Sequence, residues 1–287
     1  MPRFSLIVAT IERTDELSIL LDSLIKQNRH DFELIVVDQN ADERLSPILS
    51  KWNSEFGKLR SENGDSIQVK RLRCSAGASR ARNLGLSHST GDIVAFPDDD
   101  CWYLPDTLQS IDAWFKQHSE YGILSLGCRD GQGRASGNHW WQSECDLRPI
   151  NIFRTSGTCT FFVRRPSLEI PLLFDESLGP GAGTSFGSAE DTDFLLTLMS
   201  CGIRGRFYSP LHVCHPCRDG FVDVKRAERY GGGFGRVLAK HSLPFLWLGF
   251  VAFDFIRAGV RMIIGDRRRA SQLSSHGHGM IRAYFSR

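Results

Sequence analysis

Three adjacent carboxylates, Asp98, Asp99 and Asp100, follow the apolar run 92–96 after Pro97. Adjacent carboxylates repel one another, which raises their pKa values unless a cation is present. In an extended segment Asp98 and Asp100 point the same way. Carboxylate oxygens placed in this way suit a hard divalent ion, whose remaining coordination positions are open to water or phosphate. One carboxylate would serve as a helix cap, but three exceed that need, so we predict a metal site here.

The segment His212–Cys217 (HVCHPC) resembles a zinc site only superficially. Its possible ligands crowd into six residues, and no second Cys-x-x-Cys follows at the usual spacing. Zinc is therefore not predicted. A single histidine of this segment could add a ligand to an ion at Asp100, or it could be an ordinary residue at a strand end.

Two further segments carry candidate groups with two interpretations each. Gly187–Asp193 (GSAEDTD) precedes an apolar helical run, so Ser188 and Asp191 could form a capping box, or Asp191 could be a general base. Gly77 and Gly85 enclose a helical pattern containing Arg80, Arg82 and Asn83. A helix start with nearby arginines can hold a diphosphate, but it is also typical of a solvated basic face.

Short apolar runs alternate with helical patterns and must position these groups. Continuous apolar runs predict buried parallel strands, and leucines at helical spacing predict helices on both faces of the sheet. Ligands of such sheets gather at the carboxyl ends of strands, where Thr10–Arg13, Asp38 and the three aspartates lie. The predicted strands are 4–9, 32–37, 69–72 and 92–96, and the predicted helices are 14–26, 78–87 and 104–118.

The composition is that of a globular protein and excludes a disordered, collagenous or disulfide-scaffold chain. The 287 residues are 41% hydrophobic and 24% charged, and the net charge of +2 gives no reason to expect nucleic acid as a partner. This average hides an asymmetry. Residues 1–201 carry 20 basic and 28 acidic side chains, whereas residues 202–287 carry 15 and 5.

The basic part contains a strongly apolar segment, 243–265, that holds Asp254, Arg257 and Arg261. These three charges share one helix face and make a membrane span costly. The segment could lie in a membrane interface with Trp247 and the phenylalanines buried, continuing to 269, or it could pack on the core of the protein. Eight dilute cysteines and a short N-terminal apolar run indicate a cytoplasmic location, with peripheral attachment to the inner membrane face as the option.

Four segments resemble the inverting glycosyltransferases of family 2, which have the GT-A fold. They are FSLIVATIERTDEL, LIVVDQN, AGASRARNLGLSHSTGDIVAFPDDDCWYLPDTL and SAEDTDFLLTLMSCG. The resemblance as a whole covers roughly residues 3–217. The resemblance implies an α/β fold with a mostly parallel central sheet flanked by helices. Its catalytic domain would be 1–220, with a nucleotide-binding half at about 1–100 and an acceptor half at about 101–220, followed by a basic amphipathic helical extension at 221–287.

The resemblance also implies roles for individual residues. Asp98 and Asp100 take the places of the DxD acids, with Asp100 as the direct ligand of Mg²⁺ or Mn²⁺ and His215 as a histidine near the metal. Asp191 matches the catalytic base, and Asp38 the acid that reads the nucleobase or ribose. The remaining donor-binding positions are Thr10, Glu12, Arg13, Arg82, Asn83 and Asp99.

The implied activity is metal-dependent, inverting transfer of a sugar from a UDP-, GDP- or dTDP-sugar to a saccharide or lipid-linked acceptor. Cell-surface polysaccharide or glycolipid biosynthesis is the implied setting. Ile11, Pro97 and Cys101 depart from the usual family residues without removing a ligand. Two alternatives are a non-catalytic nucleotide-sugar-binding protein and a nucleotidyltransferase. The latter class predicts a Gly-rich loop after the first strand, where this chain has TIERTDE.

Overall fold

The computed structural model describes residues 3–60, 64, 66–67, 69–136, 140–165, 171–217 and 223–286. The chain forms two compact units. The first comprises Met1–Ala76, Ala81–Leu173 and Leu198–Arg218. The second comprises Gly77–Arg80, Phe174–Thr197 and Asp219–Arg287. The predicted domain boundary near residue 220 stays a prediction.

Eight strands and eight α-helices lie within the described ranges. The strands are β1 Phe4–Thr10, β2 Phe32–Asp38, β3 Val69–Arg73, β4 Ile93–Ala95, β5 Ile123–Arg129, β6 Cys145–Asp146, β7 Phe161–Arg164 and β8 Gly205–Cys214. The helices are α1 Asp15–Ile25, α2 Ser46–Lys58, α3 Ala78–Ser87, α4 Thr107–Gln117, α5 Glu190–Ser200, α6 Val224–Lys240, α7 Pro244–Ile263 and α8 Arg267–Phe285.

All eight strands form one sheet in the first unit, in the order β3-β2-β1-β4-β7-β5-β8-β6. The pairs β1–β2, β1–β4, β2–β3 and β5–β8 are parallel, and the three pairs that involve β7 or β6 are antiparallel. The order in which strands are added to the sheet reverses at β1, because β2 and β3 lie on one side of it and β4 lies on the other. Ligands of open α/β sheets bind beyond the strand ends at such a switch point.

The four strands and three helices predicted from the sequence are confirmed, with shifted ends. β1 and β2 form because their apolar runs are buried on both sheet faces, as in parallel sheets. β3 differs, since its sequence VKRLR leaves it half-exposed at the sheet edge. Helix α4 begins at Thr107 rather than near 104. Thr14 is the N-cap residue of α1, and its side chain makes no capping hydrogen bond.

Helix α2 was missed although its sequence carries a signal. Leu49, Trp52 and Phe56 recur at helical spacing and are the buried residues of this helix. Phe56 packs edge-on against Phe32 of β2, with the ring centroids 6.1 Å apart. This contact joins α2 to the core cluster of the sheet.

In the second unit, α6 and α8 pack with their backbones in close contact. A Cβ atom added to Gly231 would lie 1.9 Å from the carbonyl oxygen of His276, and one added to Gly279 would lie 2.0 Å from that of Glu228. Only glycine permits such an approach. The glycines of both helices therefore determine how closely α6 and α8 pack.

Helix α7 confirms the predicted helix at 243–265, for which the sequence left a membrane-interface arrangement and a core-packing arrangement open. Asp254 is buried and its Oδ2 lies 2.6 Å from Nδ1 of His276 on α8, so the charged face is partly a packing face. Trp247, which the interfacial arrangement places on the membrane side, stacks on Tyr284 of α8. Within the described residues, no helix combines the length and hydrophobicity needed to cross a membrane.

Candidate active site

The three aspartates lie at the switch point, in a turn that follows β4. Cys101 N donates to the carbonyl of Asp98 at 3.0 Å, which closes the turn. The next residue, Trp102, forms an antiparallel bridge with Cys214 through two backbone hydrogen bonds of 2.9 and 3.0 Å. Because Cys214 ends β8, this bridge brings His215 beside the aspartates.

Asp98, Asp100 and His215 form a group that could hold a metal ion. Their ligand atoms all lie within 4.8 Å of one another. Nε2 of His215 is 3.2 Å from Oδ1 of Asp100. Two carboxylates and an imidazole are a donor set suited to Mn²⁺ and acceptable to Mg²⁺. The structure thus brings together the three residues predicted as metal ligands.

The imidazole of His215 is oriented by groups behind it. Its Nδ1 lies 2.8 Å from the carbonyl oxygen of Pro216 and 3.5 Å from Oγ of Ser136. Burial alone would lower the pKa of His215, but the hydrogen bond to Asp100 and its charge outweigh burial and raise the pKa. A second hydrogen-bond partner of this kind directs the other ring nitrogen toward a metal. Ser136 had no signal in the sequence.

Two arginines partly neutralise the aspartates. Nη1 of Arg13 lies 2.6 Å from Oδ1 of Asp99 and 3.0 Å from Oδ2 of Asp100, and Nη2 of Arg82 lies 3.6 Å from Oδ1 of Asp98. Desolvation nevertheless raises the pKa values of Asp98 and Asp99, against the lowering effect of these arginines. The site therefore concentrates negative charge in a partly desolvated place, which a divalent cation would relieve.

Asp38, predicted as a donor-reading acid, is fully buried at the end of β2. Its Oδ1 accepts hydrogen bonds from N and Nδ2 of Asn40 at 2.9 and 2.8 Å. Its Oδ2 accepts from Nε and Nη2 of Arg71 at 3.0 and 2.5 Å. The carboxylate thus fixes the conformation of the loop after β2. Its direct contact with a nucleotide stays a prediction.

Asn40 links this loop to the one after β1. Its Oδ1 accepts a hydrogen bond from Glu12 N at 2.7 Å. Glu12 has a positive φ of 62°, which a non-glycine residue adopts rarely and which the bond to Asn40 supports. Thr10 is buried just before it, at the end of β1. Sequence reasoning missed Asn40 and Arg71, although an Asp-x-Asn pattern after a strand is typical of such side-chain-stabilised turns.

Asp191, the predicted base, lies in the second unit and in the first turn of α5. Its Oδ1 accepts a hydrogen bond from Thr192 N at 2.7 Å. The neighbouring Glu190 packs against Gly179, which has a φ of 93° and where a Cβ would lie 2.8 Å from the Glu190 carboxyl carbon. The absence of a side chain at Gly179 thus leaves room for Glu190 at the start of α5.

An ion-pair network around the buried Asp193 fixes the same helix start. Oδ2 of Asp193 lies 2.8 Å from Nζ of Lys240, and its Oδ1 lies 2.8 Å from Nε2 of His241. Lys240 also contacts Asp175 at 2.9 Å. The Asp193 side chain is only 2% exposed, so the C-terminal end of α6 holds the helix that carries Asp191. Neither Lys240 nor His241 was predicted.

Comparison with known proteins now identifies the family. The model of glycosyl transferase family 2 matches residues 5–167, which is more than half of the chain. The chain belongs to glycosyl transferase family 2. This confirms the predicted enzyme class at the level of the family and disfavours the nucleotidyltransferase alternative.

Family 2 relatives match the chain over part of their length. A Haemophilus influenzae protein named "Uncharacterized glycosyltransferase" is 31% identical over 208 residues, which are 68% of this chain and 61% of that protein. TarS, the poly(ribitol-phosphate) beta-N-acetylglucosaminyltransferase of Staphylococcus aureus, is 28% identical over 137 residues, or 46% of this chain and 22% of TarS. The chain thus spans less than two thirds of the length of these relatives.

Solved structures confirm the GT-A fold that the family membership implies. A crystal structure of S. aureus TarS in complex with UDP-GlcNAc has a TM-score of 0.63, at 22% identity, over 83% of this chain and 66% of that one. The mannosyltransferase PcManGT of Pyrobaculum calidifontis, in complex with GDP-Man and Mn²⁺, has a TM-score of 0.64, at 16% identity, over 99% and 87% of the two chains. At these identities the likeness concerns the fold.

Proposed function

We propose that this family 2 chain is a metal-dependent inverting glycosyltransferase that uses a nucleotide-sugar donor in cell-surface polysaccharide or glycolipid synthesis. The observation that carries the proposal is the grouping of Asp98, Asp100 and His215 at the switch point of the sheet. A saccharide or lipid-linked hydroxyl would be the acceptor. The structures of TarS with UDP-GlcNAc and of PcManGT with GDP-Man support a nucleotide-sugar donor.

The residues present fit a divalent metal. Asp98 and Asp100 would supply carboxylate oxygens and His215 would supply Nε2, a donor set that matches Mn²⁺ or Mg²⁺ in chemistry. When bound, such an ion stabilises the negative charge that develops on a leaving nucleoside diphosphate. The Mn²⁺ in the PcManGT complex supports this choice of ion.

The chain's own residues would bind the diphosphate and accept the proton of the acceptor. Arg13 and Arg82, already beside the aspartates, hold those carboxylates in place and add positive charge where a diphosphate would lie. Asp191 would accept the proton of the acceptor hydroxyl as that oxygen attacks the anomeric carbon from the face opposite the leaving group, which inverts the configuration. Asp191 lies in the first turn of α5, where the positive end of the helix dipole stabilises a negative side chain.

The metal proposal is tested by donor hydrolysis and by direct Mn²⁺ titration of the full chain. Asp100→Asn and His215→Gln should each weaken Mn²⁺ binding and lower the metal-stimulated hydrolysis of UDP- and GDP-sugars. Asp106→Asn changes an exposed aspartate of the same loop and should leave both unchanged. Donor turnover that ignores added Mn²⁺ and chelator would refute the metal role.

The base proposal is tested with Asp191→Asn. A positioned base contributes about 10²–10⁴ in rate, so transfer should fall by that factor while donor affinity stays the same. The anomeric configuration of the product, read by NMR, should be opposite to that of the donor. Near-normal transfer by Asp191→Asn would assign the base to another residue, and no transfer with any donor would favour the non-catalytic binding protein.

A further inference from the structure

One face of helix α7 is fixed against α8. Val251, Asp254 and Ala258 are its buried residues. Besides the contact of Asp254 with His276, the indole of Trp247 donates to the carbonyl of Met280 at 3.3 Å. These contacts set the rotation of α7 about its axis, so the side chains that face away from α8 are determined as well.

The opposite face is apolar and exposed. At about 3.6 residues per turn, its large side chains span about 140° of the helix circumference, and the three charged residues of α7 lie outside that arc. Exposure is 89% for Phe245, 66% for Ile256 and 86% for Ile263. This apolar face of α7 consists of Phe245, Leu248, Phe253, Ile256, Val260 and Ile263.

Arginines border the apolar face. The guanidinium carbon of Arg257 lies 5.2 Å from the ring centroid of Phe253. Arg267, Arg268 and Arg269 follow at the start of α8 and are all exposed. The two acids of this region are both engaged, since Asp254 is buried with His276 and Asp266 accepts from Arg269 N at 3.1 Å. The charge around the apolar face is therefore positive.

A second copy of the chain and a lipid bilayer differ in the area that each needs on such a face. The 20 residues of α7 make a strip about 30 Å long and about 10 Å wide, or about 300 Å². A stable protein dimer buries about 800 Å² on each partner, so this strip alone is too small for a second copy. A bilayer surface has no such requirement, because an amphipathic helix inserts its apolar side among acyl chains while arginines contact anionic headgroups.

We propose that the apolar face of α7 docks on an anionic lipid surface, with the helix axis in the membrane plane and Arg257 and Arg267–Arg269 on the headgroups. The packing of Asp254 on α8 keeps α7 on the surface, since the helix cannot turn its polar face into the bilayer without breaking that contact. This docking is independent of the proposed transfer reaction. In this arrangement Trp247 packs on α8 and does not enter the membrane.

The test is co-sedimentation of the purified full chain with vesicles. The wild type should bind vesicles of phosphatidylcholine mixed equally with phosphatidylglycerol, and bind phosphatidylcholine alone much less. Ile256→Asp together with Ile263→Asp should lower binding by about tenfold or more, because both side chains are already exposed and their change removes apolar contact without unfolding. Ile150→Asp, at a 72% exposed isoleucine of the first unit, is the matched control and should bind as the wild type.

A second variant separates charge from apolar contact. Changing Arg267, Arg268 and Arg269 to Gln should remove the preference for phosphatidylglycerol, as should added salt. Far-UV circular dichroism checks that each variant is folded. Equal binding of the Ile256/Ile263 variant and the wild type, or no binding of the wild type to the anionic vesicles, would overturn the proposal. So would a dimer in light scattering that the Ile256/Ile263 variant dissociates.

Discussion

The ion pair of Arg71 and Asp38 allows a quantitative test of how the loop after β2 is held. Two nitrogens of Arg71 donate to a carboxylate oxygen that is completely buried, and Arg71 itself is 22% exposed. Arg71→Ala leaves the Asp38 charge buried without this partner, which typically costs about 3–5 kcal/mol. Because Asn40 still donates two hydrogen bonds to Oδ1, we expect the lower end, a loss of about 3 kcal/mol in unfolding free energy.

Arg73→Ala is the matched control on the same strand. Arg73 is 42% exposed, pairs with Glu43, which is 61% exposed, and also donates to the carbonyls of Asn40 and Asp42. Surface pairs of this kind are worth about 0–1 kcal/mol, and Arg73→Ala leaves no buried charge behind. Urea unfolding followed by tryptophan fluorescence compares the two variants. Adding Asp38→Asn to Arg71→Ala should recover part of the loss, because no charge then remains buried. Equal losses for Arg71→Ala and Arg73→Ala would refute the reasoning that Asp38 sits in a desolvated place.

Two more predictions concern packing and pH. Gly231→Ala should destabilise the chain by about 1–3 kcal/mol in urea, because the new Cβ meets a backbone carbonyl of α8. Gly259→Ala, with nothing within 4 Å, should stabilise it by up to about 1 kcal/mol. Burial would raise the pKa of Asp112, but hydrogen bonds from Lys116 and Arg3 lower it overall. Its stabilisation is therefore present above about pH 4 and lost on further acidification, and Asp112→Asn should flatten the acid side of the stability profile.

The sequence predicted the first half of the sheet well because its signals are local. β1 and β2 are continuous apolar runs, and the polar residues that follow them mark the strand ends. The three aspartates after β4 predicted a metal group from charge repulsion alone, and the structure does place two of them in such a group. Each of these inferences needs only neighbours along the chain.

The parts that were missed depend on residues distant in the sequence. β7 inserts between β4 and β5 and pairs antiparallel with both, although its four residues carry no sign of their neighbours. In the sequence Arg71 is one more charged residue on a strand, and only the pairing of β2 with β3 brings its guanidinium to the carboxylate of Asp38. The sequence left two arrangements of α7 open because hydropathy alone does not show that α8 supplies His276 for Asp254.

The position of His215 depends on a bulge in β8, which brings this histidine to the aspartates that follow β4. In the pairing of β5 with β8, Leu126 lies opposite Tyr208, but Gly127 lies opposite His212, so residues 209–211 bulge out of the ladder. Pro210 lies in this bulge, as expected for a residue that has no N–H to donate to a ladder.

Without the bulge, the register would end with residue 211 opposite Arg129, and Cys214 and His215 would lie beyond the end of the strand. With it, Cys214 pairs with Arg129, and His215 N donates to the Arg129 carbonyl at 2.9 Å. Cys214 can then also bridge Trp102, which holds the turn of the aspartates against His215. A proline within a strand is readable in the sequence, but its consequence for the third ligand follows only once the partner strand is known.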